Sequence, residues 1–365
     1  MTSFVDACLP VLRPFTRLAR RSYRTFRTTL LGRLPQWRIV GGKFYMEIDP
    51  NDWMDRAFHQ GYYEPHLVEL IAAIVRPGDV CLDVGAEKGF MTLHMAKAVG
   101  RGGRVIAFEP DPRAMELLRR NVEHNGFGQV TLDASALADC ETVCEFALSR
   151  QLGWSSRFPN NIAKPLVAST ISLRTRRLDD IVEAMGIMPE THRLSFVKID
   201  AEGSEPLVLQ GARKTLKRFR PTIHLEINRR SLYAGGFSIE SVEGFLHSLD
   251  YDFFSIRFRR TGFLFQRRLS LNPAASLARD LGDCEDVLAV SSLGSRLGTK
   301  RNYPGGYAEM GAFSAASQRR NAMGFIPAGS IVEPMATSTT SAARAALFVP
   351  APDFTLFRRL SEDLE

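Results

Sequence analysis

Val80-Cys-Leu-Asp-Val-Gly-Ala-Glu-Lys-Gly-Phe-Met-Thr92 reads as a strand, a glycine turn and the start of a helix in direct succession. Val80–Val84 is a short apolar run of strand length, and residues 89–98 read as a helix. Between them, Asp83-Val-Gly85-Ala-Glu-Lys-Gly89 is a turn bracketed by glycines. Glycines at a strand-to-helix junction let the backbone approach a ligand closely and leave amides at a helix N-terminus. The spacing is G-x-x-x-G rather than the dinucleotide pattern G-x-G-x-x-G. Asp83 stands just before the turn, where a carboxylate can receive an ammonium group.

Working outward, strands and helices alternate. Residues 104–109 read as a strand, and 112–125 as a helix with Met115, Leu118 and Val122 on one side. Residues 129–133 form a third strand, 144–148 and 169–174 two shorter ones, and 178–185 a helix. A strand over 194–200 and a helix over 205–219 follow, then Thr222–Asn228 as strand and 239–249 as helix. Residues 252–258 and 286–290 close the series as an antiparallel edge. On the N-terminal side, 39–49 is strand-like, residues 53–58 look helical, and Leu67, Leu70, Ile71 and Ile74 share one helix face. Such alternation predicts a parallel α/β sheet covered on both faces, a Rossmann-like core.

Charge is distributed unevenly. The chain has 365 residues and a formal net charge of +7. Residues 1–40 hold eight arginines, no lysine and a single acid, Asp6, and so carry the whole excess. The balanced remainder argues against a nucleic-acid substrate. The expected organisation is a basic arm over 1–45, a catalytic domain over 46–290 and a low-complexity tail over 291–365, with a short helix at 354–360. Apolar residues interleaved with the arginines offer a peripheral membrane contact, although Pro10, Pro14 and Pro35 interrupt a continuous helix. Neither a signal peptide nor an apolar run of spanning length is present, and five sparse cysteines suggest a reducing compartment. The expected location is therefore cytoplasmic, with possible membrane association through the arm.

The site residues follow from the strand ends, where ligands of open α/β sheets sit. Glu109 ends the second strand, 26 positions after Asp83, and can accept both hydroxyls of a ribose. Asp133 and Ala136 end the third, where an adenine would lie. Together with Asp83, Gly85 and Gly89 they point to S-adenosylmethionine as cofactor, with Glu64 leaning over it or serving as a helix-entry acid. Lys198 and Asp200 share one side of their strand; His224, Glu226 and Asn228 share one side of the next. A lysine inside a central strand is costly unless paired, so Lys198 is expected to meet Asp200, Glu202 or Glu226. Asp200 and Glu226 are expected to flank an acceptor oxygen, and one of them to take its proton. Glu202 and Glu205 orient the intervening loop, Glu205 also being readable as a helix cap. His224 is readable as a base or as a satisfied core histidine. Asp200, Glu226 and Asn228 could offer oxygens to a magnesium ion.

The blocks 80–92, Phe108-Glu-Pro-Asp-Pro112, Phe196-Val-Lys-Ile-Asp-Ala-Glu-Gly-Ser-Glu205 with Gly211-Ala212, and Pro221-Thr-Ile-His-Leu-Glu226 occur in the order of the FkbM methyltransferases, and the sequence resembles that family over residues 60–260. One departure lies in the glycine turn, where the family commonly has asparagine after the alanine and this chain has Glu87-Lys88. The resemblance implies a class I methyltransferase fold, a mostly parallel seven-stranded sheet with an antiparallel edge strand. It also implies methyl transfer, usually to a hydroxyl of a sugar or natural product, so the expected partner is a small-molecule or glycan acceptor. Two other readings are a nicotinamide-dependent oxidoreductase, which lacks its third glycine here, and a non-catalytic cofactor-binding or membrane-docking module.

Overall fold

Strand β3 (Val80–Val84) is buried at all five positions, as a strand covered on both faces must be. The structure, a computed structural model, describes residues 36–41, 43–261 and 266–292. The arginines between positions 13 and 33, the tail from 293 onward and the expected helix at 354–360 lie outside the described residues. β3 pairs in parallel with β4 (Arg104–Phe108) on one side and β9 (Leu194–Ile199) on the other. β5 (Val130–Asp133) extends the sheet beyond β4, and β10 (Thr222–Asn228) extends it beyond β9, both in parallel. β13 (Cys284–Ser291) then runs antiparallel between β10 and β11 (Tyr251–Thr261).

The order β5-β4-β3-β9-β10-β13-β11, with β13 reversed, is the Rossmann-like class I methyltransferase arrangement. One strand exceeds the expected seven. β12 (Gln266–Ala274) pairs antiparallel with β11 and makes an eighth at the edge. Its sequence, with adjacent arginines and Pro273, does not read as a strand, but an edge position tolerates a residue that cannot donate to the ladder.

Alternate residues of the central strands feed two core layers. Leu82, Val84, Ile106, Val197, Ile199, Ile223 and Leu225 pack on one face, below α6 (Glu205–Gly211) and α9 (Ile239–His247). Cys81, Val105, Ala107, Phe196 and Leu288 pack on the other, against α2 (Pro65–Ile74) and α3 (Phe90–Val99). The helix expected over 205–219 is two helices, because Ala212 leaves helical geometry and α7 (Arg213–Phe219) starts afresh. Asp179, in α5 (Leu178–Ala184), caps it from a distance by accepting the amides of Lys214 at 3.0 Å and Thr215 at 2.8 Å.

The strand expected at 39–49 is a hairpin, β1 (Gln36–Val40) and β2 (Phe44–Ile48), which turns at Gly41 with φ 56°. It is fastened to α4 (Pro112–His124) through Asn121 and Asn125, which accept the amides of Glu47 and Tyr45. Next to it, α1 (Trp53–Gln60) is capped by Asp52, whose carboxylate accepts from Met54 and Asp55. A small sheet of β6 (Ala136–Leu137), β8 (Val167–Arg176) and β7 (Val143–Ser149) follows the third strand of the core. Among the described residues, no helix is long and apolar enough to cross a membrane.

Candidate functional site

Sheet register assembles the site. Asp83 pairs across to Lys198, and Lys198 to His224, so three polar residues form one row through the buried centre. One step toward the carboxyl ends, Glu226 stands opposite Asp286. A lysine in this row is stable only if its charge is met. Lys198 Nζ donates to the Gly85 carbonyl at 3.0 Å and to Asp200 Oδ2 at 3.1 Å, and lies 3.8 Å from Asp83 Oδ1. Burial works to lower its pKa, but the carboxylates of Asp200, Asp83 and Glu64 outweigh it and hold the ammonium charged. The expected pairing of Lys198 with Asp200 is thus present, and its reach to the glycine turn is new.

The turn itself is pressed against the next strand. Gly85, at φ 74°, leaves no room for a side chain, since a Cβ there would lie 1.8 Å from the Asp200 carbonyl oxygen. The amides of Gly85 and Ala86 donate to the Phe108 carbonyl, that of Glu87 to Glu109, and that of Gly89 to Ala86. These four amides are therefore occupied inside the protein. The glycines serve the close approach of the backbone to its neighbours. Asp83 is fully buried; Oδ2 accepts from Thr92 at 2.5 Å, and Oδ1 has no hydrogen-bond partner. Burial pushes this carboxyl up, against the pull of Lys198.

Glu109 ends β4 as expected. Its two oxygens accept the amides of Glu87 and Asp111, both at 2.8 Å, and burial pushes its pKa up to about 7. Asp133 accepts from Ser135 at Oδ1 and from Arg176 at 2.9 Å through Oδ2; Ala136 lies buried in β6. Glu64 precedes α2 in left-handed geometry, φ 36°, and caps nothing with its side chain. Burial and the nearby Asp286 carboxylate raise its pKa to about 7.

Around Asp200 the acids crowd. Glu226 is pushed well above the carboxylate range, first by the negative charge of Asp200 and then by burial. Glu202, at φ 48°, rises to about 8 through burial and Asp200. Glu205 takes the loop-orienting role in full, because Oε1 accepts the amides of Ala201 and Gly203 at 2.9 and 3.2 Å. Asn228 spends its side-chain oxygen on the amides of Arg230 and Ser231, capping α8 (Arg229–Ala234), and so does not offer it to a cation. His224 is 1% exposed and bonded to Asp286 at 3.0 Å. Two residues of the stretch 150–167 reach this loop: Ser156 and Asn161 donate to Glu202, and Ser231, at the start of α8, donates to Asn161.

Sequence reasoning missed two groups. His66 and His224 each contact one oxygen of Asp286, at 2.7 and 3.0 Å, which holds that carboxyl far below its usual range. These residues are too far apart in the chain for any local pattern to join them. The other group surrounds the departure at Glu87-Lys88. Lys88, 3% exposed, meets Asp55 at 2.7 Å and Asp52 at 3.6 Å. Glu87 sits at φ 51°, a left-handed position that asparagine tolerates better than glutamate.

The family model described as Methyltransferase FkbM domain matches residues 83–253. A "Probable cobalt-precorrin-6B C(15)-methyltransferase (decarboxylating)" of Sulfolobus acidocaldarius is 30% identical over 139 residues, 38% of this chain and 71% of that protein. A protein-L-isoaspartate O-methyltransferase of Methanococcoides burtonii is 29% identical over 77 residues, which span 20% of this chain and 38% of that one. Among solved structures, a methyltransferase FkbM from Methylobacillus flagellatus KT aligns at 16% identity over 60% of this chain and 55% of its own, with a TM-score of 0.32. The fold assignment rests on the strand order itself. That order, the glycine turn ending β3, the acid ending β4 and the match over 83–253 agree: the chain belongs to the FkbM family of S-adenosylmethionine-dependent methyltransferases.

Proposed function

We propose that this protein transfers the methyl group of S-adenosylmethionine to a hydroxyl of a sugar, glycolipid or natural product. The observation that carries the proposal is the double engagement of Lys198, which ties the donor-side turn at Gly85 to the acceptor-side acid Asp200. S-adenosylmethionine, when bound, supplies an electrophilic methyl group on a sulfonium centre. Asp83, whose buried Oδ1 accepts no hydrogen bond, would hold the ammonium group, and Glu109 the ribose hydroxyls. A site lined by several buried acids and one lysine suits a ligand bearing two cationic centres.

On the acceptor side, Asp200 and then burial push the Glu226 carboxyl up, so that it would donate a hydrogen bond while Asp200 takes the hydroxyl proton. Lys198 fixes Asp200 for this task, and Glu205 fixes the loop that bears it. Loss of the base is tested by Asp200→Asn in a methyl-transfer assay against a panel of hydroxyl acceptors. The proposal expects turnover to fall by about 10²- to 10⁴-fold with donor affinity retained. Undiminished turnover would remove Asp200 from the chemistry, and transfer confined to amine or carbon acceptors would remove the hydroxyl.

A further inference from the structure

On the N-terminal side of the core, the β1–β2 hairpin shows an apolar face to solvent. Val40, Phe44, Met46 and Ile48 point inward and are buried, whereas Trp37, Ile39 and Tyr45 are 37%, 49% and 44% exposed. Ile39 and Tyr45 are register partners, and Trp37 lies two residues along on the same side. The face is held rigidly. Trp37 stacks on His124 with ring centroids 3.8 Å apart, Tyr45 meets the same imidazole edge-on, and Asn125 bonds both backbone groups of Tyr45. A soluble sheet gains nothing by displaying Trp, Ile and Tyr together on its outward side.

The hairpin begins at Gln36, and the 35 residues before it carry seven arginines, no lysine and one acid. An aromatic-aliphatic patch joined to a cationic segment is the pair of signals that stable binding to an anionic lipid surface needs. Tryptophan and tyrosine favour the headgroup level, and isoleucine the acyl boundary beneath it. A second copy of the chain fits less well, since a two-fold contact through this face would bring two arginine-rich segments together. Nucleic acid also fits less well, because His124 already takes one face of Trp37.

We propose that the exposed face of the hairpin, Trp37, Ile39 and Tyr45, docks the protein on anionic membranes, with the preceding arginines supplying the electrostatic attraction. The test is sedimentation of the full chain with phosphatidylcholine vesicles, with and without phosphatidylserine. Two variants accompany it. Ile39→Glu with Tyr45→Ser alters only outward positions, and Arg17, Arg20, Arg21 and Arg24 changed to Gln alters only charge. The proposal expects binding to the phosphatidylserine vesicles, weakened by salt and reduced at least about tenfold in each variant, with far-ultraviolet circular dichroism and S-adenosylmethionine affinity unchanged. Equal binding to both vesicle types, or hairpin variants that bind as tightly as wild type, would overturn it. So would absent vesicle binding, whether the patch instead supports a dimer that the hairpin variant dissociates or a single-stranded oligonucleotide is bound in its place.

Discussion

Lys198 and Asp200 meet at 3.1 Å across the end of one strand, and the same ammonium group reaches the Gly85 carbonyl at 3.0 Å. One buried charge thus holds the donor turn and the acceptor acid in a fixed relation. Asp83, at 3.8 Å and without exposure, depends on it as well.

Replacing Lys198 with Met therefore strands Asp83 and Asp200 without a cation. Removing one partner of a buried ion pair costs about 3–5 kcal/mol, and urea unfolding should show a loss of that order. A loss no larger than that of an exposed lysine would mean the ammonium group does not hold the row together.

Glu87 pays twice in this fold, in backbone conformation and in ionisation. Its folded pKa, about 8, lies above the unfolded value because burial disfavours the carboxylate. A raised acid stabilises below its unfolded pKa, and that contribution is lost as pH climbs through the folded value. Wild type should consequently lose stability between about pH 4.5 and 8, by up to roughly 1.4 kcal/mol per pH unit for this group. Glu87→Asn should be the more stable protein at pH 8, and its stability should depend less on pH over that window. Parallel pH profiles for the two proteins would contradict the account.

The bridge His66–Asp286–His224 has a different signature. Asp286 is lowered, so its contribution is present above its unfolded pKa and is lost as pH falls through the folded one. The pKa of His66 is raised, since Asp286 outweighs the opposing effect of burial, and that contribution is lost as pH rises. The stability gap between wild type and Asp286→Asn should then be widest between about pH 4 and 6.5 and narrow on both sides. At its maximum it should reach about 2 kcal/mol, the value of hydrogen bonds to a charged group. Chemical denaturation across the pH range measures it, and a gap constant with pH would contradict the bridge.

What could be read in the sequence was local. Val80–Val84, Leu194–Ile199 and Thr222–Asn228 declare themselves as buried strands, and their polar interruptions, Asp83, Lys198 and Glu226, mark the site because an apolar core would not choose them. What could not be read was set by distant partners. Asp179 caps the helix that restarts at Arg213, Asn121 and Asn125 hold β2 of the hairpin in place, and β12 pairs along the edge of β11. His66 and Asp286 meet only once α2 is laid across the sheet. Three of the four occupied amides of the glycine turn were equally invisible, since their acceptors, Phe108 and Glu109, lie at the end of another strand.

In the proposed site the carboxylates around the Gly85 turn hold S-adenosylmethionine. Isothermal titration of the purified protein with that donor, beside Asp83→Asn and Glu109→Gln, tests it most directly. Wild type should bind one donor per chain, and each variant should lose about tenfold or more in affinity, as expected when a hydrogen bond to a charged group is removed. No measurable binding to wild type, or equal affinity in all three proteins, would contradict it.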